Sequence, residues 1–487
     1  MLNLSGYINN RSTGLFNSIN VYSPENGEII ARVGTVDIEQ IKFAFESSKK
    51  VFNLWKDVSF NIKKVILERF VENLSAAKEE LADLLLKCIA KPYKACLDEI
   101  SRSIAYIRCT IEVYEKYFYN SITIDEPKEF LGNKIGFFKR EPLGVILAIS
   151  PFNYPINLSL TKIVPAILSG NVVIFKPATQ SSPVGIKLIE ILINSGLPAG
   201  VVQCLVGSGN EISESLIKNE HATMINFTGS SEVGRQILNN SSVGKFVLEM
   251  GGLDAALVFK DADLDLAAKE IVSGAFNYSG QRCTAIKRVI VDSTVEEALV
   301  KKILFLVSKL SIGKAIDNAD ITALINKSAV DRALTVVHEA INSGAKLLTR
   351  INYSGNLLEP IVLSGVKTGM KVFQTELFAP VLPIVSVASE TEMIKMANDT
   401  EYGLQASVFT SDQRKILDVF RKLDVGTVNW NKSPSRGPDY FPFVGVKLSG
   451  VGEQGIKEAI ISMTQHKGLV VAGNNLDREF FEKHIHS

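Results

Sequence analysis

The chain has few of the residues on which metal and disulfide chemistry depend. Among 487 residues there are five cysteines, five histidines and two tryptophans. The cysteines (Cys88, Cys96, Cys109, Cys204, Cys283) are irregularly spaced and form no Cys-x-x-Cys pair, so no disulfide framework is expected and the chain reads as reduced. The histidines (His221, His338, His466, His484, His486) include no i, i+4 pair backed by carboxylates, so no metal is expected. Charge of one sign is lacking too. Fifty-three basic residues against fifty-two acidic ones leave a net +1, and with no global field neither nucleic acid nor an anionic membrane is an expected partner. No stretch reaches about 18 uninterrupted apolar residues, and residues 1–20 lack a basic start followed by an apolar core. A cytoplasmic location and a small-molecule substrate are the expectation.

What is present is enough apolar material for more than one core. Hydrophobic residues make up 46% of the chain, and a single core stops growing at about 250 to 300 residues. From residue 143 short apolar runs (Gly144–Ile149, Asn171–Phe175, Val201–Val206, Met224–Phe227, Phe246–Leu248) alternate with helix-like segments near 158–168, 184–195, 211–218 and 231–239. That is the pattern of βαβ units in a doubly wound parallel sheet. A second α/β alternation follows Gly252. Its strands are expected at Ala255–Phe259, Arg288–Val291, Pro383–Val387, Ser407–Phe409 and Thr427–Asn429, and its helices near 264–276, 295–308, 330–343 and 412–422. Residues 35–118 read as long helices with little strand, as over Val65–Lys87, packed on the first sheet. Segment 122–141 alternates apolar and polar residues about a turn at Gly132 and Asn133, which predicts a hairpin; Gly468–Gly473 is a strand that would extend it, from the same chain or a neighbour.

Cys283 and Glu249 carry the chemistry. Cys283 follows Gly280 in Ser279-Gly280-Gln281-Arg282-Cys283, and Glu249 precedes Gly251-Gly252 at the end of an expected strand. A soft nucleophile and a carboxylate base are the two parts that covalent catalysis at a carbonyl requires. A lone cysteine is more often inert core. Here Arg282 is adjacent and no long apolar run surrounds the thiol, which favours a lowered thiol pKa. Asn153 stands between Pro151 and Pro155, a stiff segment that would hold its amide toward an oxyanion; in isolation it reads as a turn asparagine. Lys176 ends the next strand within reach of a ribose or phosphate. Gly229-Ser230-Ser231-Glu232-Val233-Gly234 joins a strand to a helix whose N-terminus suits a pyrophosphate, without being the usual Gly-x-Gly-x-x-Gly. Gly207-Ser208-Gly209 is given only a structural role.

Taken together and in order, these motifs resemble those of the aldehyde dehydrogenase superfamily: Pro-Phe-Asn-Tyr-Pro, Phe-Lys-Pro-Ala, Phe-Thr-Gly-Ser, Leu-Glu-Met-Gly-Gly, Gly-Gln-Arg-Cys, Thr375-Glu376-Leu377-Phe378-Ala379-Pro380 and Asn429-Trp430. The resemblance covers nearly the whole chain. It implies oxidation of an aldehyde to an acid with a nicotinamide cofactor. It also implies three domains: a Rossmann-like cofactor-binding one (1–121 and 142–249), an α/β catalytic one (250–450) and a small β oligomerisation one (122–141 and 463–487), assembled as a homotetramer. By resemblance Cys283 is the nucleophile, Asn153 with the Cys283 N–H the oxyanion hole, and Glu249 the base that activates water; Glu376 and Phe378 hold the nicotinamide ribose and ring. Gly229, Ser230 and Gly234 belong to the cofactor site. Where the family commonly has Lys-Pro-Ser-Glu, this chain has Lys176-Pro177-Ala178-Thr179, so the acid that binds the adenosine ribose is absent. Its loss removes a repulsion against a 2′-phosphate, and NADP is expected to serve at least as well as NAD. Ala379, where glycine is usual, is a minor departure.

Within the superfamily the chain is most similar to the non-phosphorylating glyceraldehyde-3-phosphate dehydrogenases of glycolysis. They share Gly-Gln-Arg-Cys-Thr-Ala-x-Lys-Arg and the Asn-Trp…Ser-Arg-Gly-x-Asp-x-Phe-Pro-Phe pattern of 429–443. That similarity implies irreversible oxidation of D-glyceraldehyde 3-phosphate to 3-phosphoglycerate without an acyl phosphate, with Arg102, Tyr154, Arg282 and Arg436 binding the substrate phosphate. Arg282 and Arg436 lie beside recognisable motifs, whereas Arg102 stands in an amphipathic helix where salt-bridged arginines are common. The alternatives are an aldehyde dehydrogenase for lactaldehyde or succinate semialdehyde, and a non-catalytic structural homologue.

Overall fold

The computed structural model describes residues 1–125, 134–472 and 479–481. Its organising element is a sheet whose central strands come from the apolar runs after residue 143. Val145–Ile149, Val172–Lys176, Val202–Cys204, Ala222–Thr228 and Phe246–Glu249 lie parallel, each beside its neighbour. Nearly all their side chains are buried, as expected for strands covered on both faces. The spatial order is Gly450–Val451, Phe246–Glu249, Ala222–Thr228, Val145–Ile149, Val172–Lys176, Val202–Cys204, Tyr7–Ile8, Arg11–Ser12. After placing Tyr7–Ile8 and Arg11–Ser12 at one edge, the chain starts the parallel strands in the middle with Val145–Ile149, builds out to meet that edge, then returns to build the other side. Its reversal lies between Val145–Ile149 and Ala222–Thr228, where Ile149 is in register with Phe227. Open α/β sheets bind ligands outside the strands' carboxyl ends at such a point.

A second, seven-stranded sheet follows, in the order Lys346–Leu347, Ile361–Ser364, Val381–Val387, Arg288–Asp292, Ala255–Val258, Gln405–Phe409, Thr427–Trp430. Only the first of these is antiparallel to its neighbour. The two sheets have separate cores. One gathers buried residues from Ile8 to Met250 together with Tyr278, Ile456, Ile460 and Met463, and the residues from Ala255 to Leu423 form the others. The chain returns to the first sheet at its end: Gly450–Val451 pairs with Leu248 and Glu249, and helix Ile456–Ser462 packs on helices Tyr93–Tyr117 and Asn157–Leu168. Asn171 ties these parts. Its Oδ1 accepts from the N–H groups of Leu143 and Gly144, and its Nδ2 donates to the Met463 carbonyl at 2.9 Å.

Several details depart from expectation. The helix expected over Val65–Lys87 is two helices, Phe60–Ala76 and Lys78–Ile89, because Ala77 swings to ψ 7° and the chain restarts with Glu79 and Glu80 in the new first turn. Residues 1–35 contain a three-stranded sheet of Leu2–Ser5, Ile29–Thr35 and Asn17–Tyr22 that the apolar pattern did not reveal. Strand Thr464–Ala472 starts earlier than expected and pairs along Lys134–Pro142 of the same chain, with Thr123–Asp125 on the far side. The turn expected at Gly132 and Asn133 lies outside the described residues. Among the described residues no helix is long and apolar enough to cross a membrane.

Ile174 is fully buried in Val172–Lys176, which lies inside the sheet between two parallel neighbours. Ile174→Ala is expected to lower stability by about 2–5 kcal/mol, read as a fall in the urea midpoint at unchanged slope.

Candidate active site

Cys283 sits at the end of a strained turn. Tyr278, Ser279 and Gly280 have φ of 54°, 52° and 74°, three consecutive residues in the left-handed region. For the first two this costs on the order of 1–3 kcal/mol each, so the surroundings must impose it. They do. The Tyr278 hydroxyl donates to the Ile89 carbonyl at 3.1 Å, and the Ser279 hydroxyl donates to Thr322 O and accepts from Thr322 N at 2.8 and 2.9 Å. Gly280 is required, because a Cβ there would lie 2.5 Å from the Ala379 carbonyl oxygen. The turn delivers Cys283 to the wall of a cavity of about 1020 Å³ at the carboxyl ends of the first sheet's strands.

Burial pushes the Cys283 thiol up to about 11, with Lys287 pulling the other way. This corrects the lowered thiol pKa expected from the sequence. Arg282, the adjacent cation that suggested it, turns away, its Nη2 donating to the Gly274 carbonyl at 2.6 Å. Lys287, four residues on, is the cation that serves the turn: its Nζ donates to the Cys283 carbonyl and pairs with Glu376 at 3.1 Å.

Glu249 ends strand Phe246–Glu249 and both its oxygens are engaged. Oε1 accepts from Arg436 Nη1 at 2.6 Å, and Oε2 accepts from the Thr228 hydroxyl at 3.0 Å. Thr228 in turn accepts from Lys162 Nζ at 2.7 Å. Lys162 is fully buried, and desolvation lowers it to about 7 although Glu249 favours its charge. Glu249 and Arg436 are close enough to Cys283 to act on its acidity in opposite directions.

Asn153 is buried and lines the same cavity, with one amide hydrogen donated to the Gln281 carbonyl at 2.9 Å. An amide has two N–H groups, so one remains for a ligand. The Asn153 loop is held from below by a buried ion pair. Lys91 Nζ meets Glu99 Oε2 at 2.5 Å, donates to the Asn153 carbonyl at 3.2 Å and lies 3.6 Å from the Tyr154 ring centroid. Glu99 Oε1 accepts from the N–H groups of Ile156 and Asn157, the free donors that open helix Asn157–Leu168.

The rest of the cavity wall includes Lys176, Thr179, Gly229, Ser230, Glu376 and Phe378. Gly229 lacks a Cβ that would meet the Phe227 ring at 2.5 Å, and Ser230 caps helix Ser231–Asn240. Gly234 is not among the residues lining the cavity, and its missing Cβ makes room for Met250 Sδ, which would stand 2.2 Å from it. Gly209, given only a structural role, opens helix Gly209–Ile217, and Gly209, Ser213 and Lys218 all line the cavity. Phe378 is held at φ 54° and meets Phe152 edge to face at 6.1 Å. Lys176 is buried with no ion-pair partner among the described residues, and desolvation lowers it to about 8. Thr179 Oγ1 donates to the Gly207 carbonyl at 3.4 Å.

Of the four residues assigned to a phosphate, the structure brings Arg102 and Arg436 together rather than Arg282 and Arg436. Arg102 binds Asp439 through Nε and Nη2, both at 2.8 Å, and Arg436 Nε faces Asp439 at 3.5 Å. Tyr154 packs on Lys91, and none of the four lines the cavity itself. Sequence reasoning did not single out Lys162, Thr228, Lys287, Asp439 or Gln454. Thr228, Lys287 and Asp439 stand inside the quoted motifs, a usable signal; a lysine in the apolar helix Asn157–Leu168 was another. Among the described residues no cluster of His, Cys, Asp and Glu is arranged to hold a metal.

The sequence profile of the aldehyde dehydrogenase family matches residues 11–469. The NADP-dependent glyceraldehyde-3-phosphate dehydrogenase of Streptococcus equinus is 41% identical over 455 residues, 93% of this chain and 95% of that one. The fold is that of the NADP-dependent glyceraldehyde-3-phosphate dehydrogenase of Bacillus halodurans, solved with NADP, with a TM-score of 0.95 and 39% identity over 97% of this chain and 100% of the other. A glyceraldehyde-3-phosphate dehydrogenase of Methanocaldococcus jannaschii, also solved with NADP, aligns with a TM-score of 0.90 and 33% identity over 94% of this chain and 100% of the other.

Because the thiol of the free protein ionises near 11, alkylation of Cys283 by iodoacetamide is expected to accelerate steadily from pH 7 to 10 without a plateau. A plateau reached below pH 8, followed by mass spectrometry of the modified peptide, would contradict it.

Proposed function

The chain belongs to the aldehyde dehydrogenase family, and from that premise we propose that it oxidises D-glyceraldehyde 3-phosphate to 3-phosphoglycerate with NADP, through a cysteine thioester and without an acyl phosphate. The observation that carries the substrate is the meeting of two guanidinium forks, Arg102 and Arg436, around Asp439 beside Glu249. Forked, permanently charged donors suit a phosphate dianion, and a chain of net charge +1 has no broad field to replace them.

The Cys283 sulfur, as thiolate, bonds to the aldehyde carbon. The oxygen gains the negative charge, which the remaining Asn153 N–H and the Cys283 backbone N–H are suited to receive. A nicotinamide cofactor held by Glu376 and Phe378 would supply the hydride acceptor that turns this adduct into a thioester. Glu249 then removes a proton from water as its oxygen bonds to the carbonyl carbon, and the carbon–sulfur bond breaks to return the thiolate. Glu376, held by Lys287 and by the Gly252 N–H, is suited to the ribose. For the adenosine end the fit rests on Lys176, a buried cation without an anionic partner, with Thr179 where an acid would repel a 2′-phosphate. We read the three parts of the chain as cofactor-binding, catalytic and oligomerisation domains of a cytoplasmic homotetramer working in glycolysis. Leu469 and Val470, exposed on strand Thr464–Ala472, support assembly through that sheet.

The reading is tested by comparing kcat/KM for D-glyceraldehyde 3-phosphate and D-glyceraldehyde. A preference of roughly 100-fold or more for the phosphorylated aldehyde is expected, since a site built for polar groups rejects an analogue lacking them. Formation of 3-phosphoglycerate should need no inorganic phosphate. Equal values for the two aldehydes would overturn the assignment. A second test concerns the cofactor. Thr179→Glu is expected to raise KM for NADP by about tenfold or more while changing that for NAD little, because a carboxylate repels a 2′-phosphate at close range. Steady-state kinetics with both cofactors decide it.

A further inference from the structure

Glu249 and Arg436 hold each other. Arg436 Nη1 reaches Glu249 Oε1 at 2.6 Å, while its Nη2 donates to Gln454 Oε1 at 2.5 Å and its Nε faces Asp439. The other oxygen of Glu249 is taken by Thr228, itself supported by Lys162. Both carboxylate oxygens are thus engaged, and taking a water proton on Oε1 means giving up the charge-assisted bond to the guanidinium. The charges of the cluster also balance. Arg102 and Arg436 face Asp439 and Glu249, two cations against two anions, so the free forks that a phosphate requires are not yet available.

The backbone leading into Arg436 is fixed, and its side chain need not be. Ser433 is bound through N–H and hydroxyl to Glu270, and Ser435 exchanges hydrogen bonds with Gln405 through both its N–H and its carbonyl. A change of partner by the guanidinium therefore requires only side-chain rotation, with the loop in place.

We propose that Arg436 is a specificity-determining interlock: the substrate phosphate takes its guanidinium, and the loss of that partner frees Glu249 to activate water. The proposal rests on the substrate reading above and places the selection at deacylation. An aldehyde without a dianion forms the C–S bond, loses its hydride and stops at the thioester, since Glu249 stays paired. With the dianion present Glu249 takes the water proton, the hydroxide oxygen bonds to the carbonyl carbon, and the thiolate leaves.

The test uses the two halves of the substrate separately. D-glyceraldehyde and NADP are mixed rapidly with the enzyme, with and without phosphite dianion, and NADPH formation is followed. Without phosphite the expected trace is a burst of about one NADPH per site and then slow turnover. Phosphite should raise the slow phase saturably by about tenfold or more, the size of one charged hydrogen bond, and leave the burst unchanged. In Arg436→Met, shown folded by NADP binding, turnover of D-glyceraldehyde should no longer respond to phosphite and should exceed the unassisted wild-type rate. Arg102→Met should weaken phosphite binding but keep the maximal activation. Absence of a burst, activation of the burst phase alone, no activation, or activation that survives Arg436→Met would each overturn the interlock. If D-glyceraldehyde 3-phosphate is still strongly preferred in those cases, the substrate reading stands without it. Equal turnover of the two aldehydes would remove the substrate reading itself.

Discussion

The ammonium of Lys91 is the point on which the catalytic geometry hangs. Fully buried, it pairs with Glu99, donates to the Asn153 carbonyl and lies against the rings of Tyr154 and Tyr278. One group thus touches the loop that carries the amide donor and the strained turn that carries the thiol. Glu99 extends the tie by accepting from the first N–H groups of helix Asn157–Leu168, which brings Lys162 beneath Thr228 and Glu249. A buried pair is not in itself a source of stability, since desolvation offsets attraction, but removing one partner typically costs about 3–5 kcal/mol. Its presence here, in contact with two loops that must be held to within a fraction of an ångström, fits a requirement for position.

The resting site is quiet in two respects. The thiol is protonated at neutral pH, because burial outweighs the nearby lysine. The carboxylate is bonded at both oxygens, to Arg436 and to Thr228. Burial thus keeps the thiol protonated, and pairing engages both oxygens of the carboxylate. This is what a site built from a thiol and a carboxylate needs if it is to avoid side reactions, and it follows from desolvation and charge pairing.

Much of the fold was legible. The parallel strands of the first sheet and those of the second were visible as short apolar runs at helical spacing, because a strand buried on both faces leaves that imprint. The N-terminal sheet was not visible, since strands such as Leu2–Ser5 and Asn17–Tyr22 are short and largely exposed and carry no apolar run. The break at Ala77 was equally hidden, in a stretch without Gly or Pro. At the site, Cys283, Glu249 and Asn153 stood out because each follows a recognisable element beside glycine or proline. Gly234 shows a limit of such reading, since a glycine in a strand-to-helix turn looks the same whether it admits a ligand or the sulfur of Met250.

The chain's local chemistry determined which residues stand at the carboxyl ends of strands, that a thiol and a carboxylate are offered there, and that no acid follows Lys176. These depend on neighbours a few positions away, and spacing records them. The partners were decided only by tertiary structure. Arg102 and Asp439 are separated by 337 positions and Glu249 and Arg436 by 187, and no periodicity links them. The direction of the Cys283 acidity was decided there as well, because burial is a property of the packed cavity while the sequence displays only the adjacent charge.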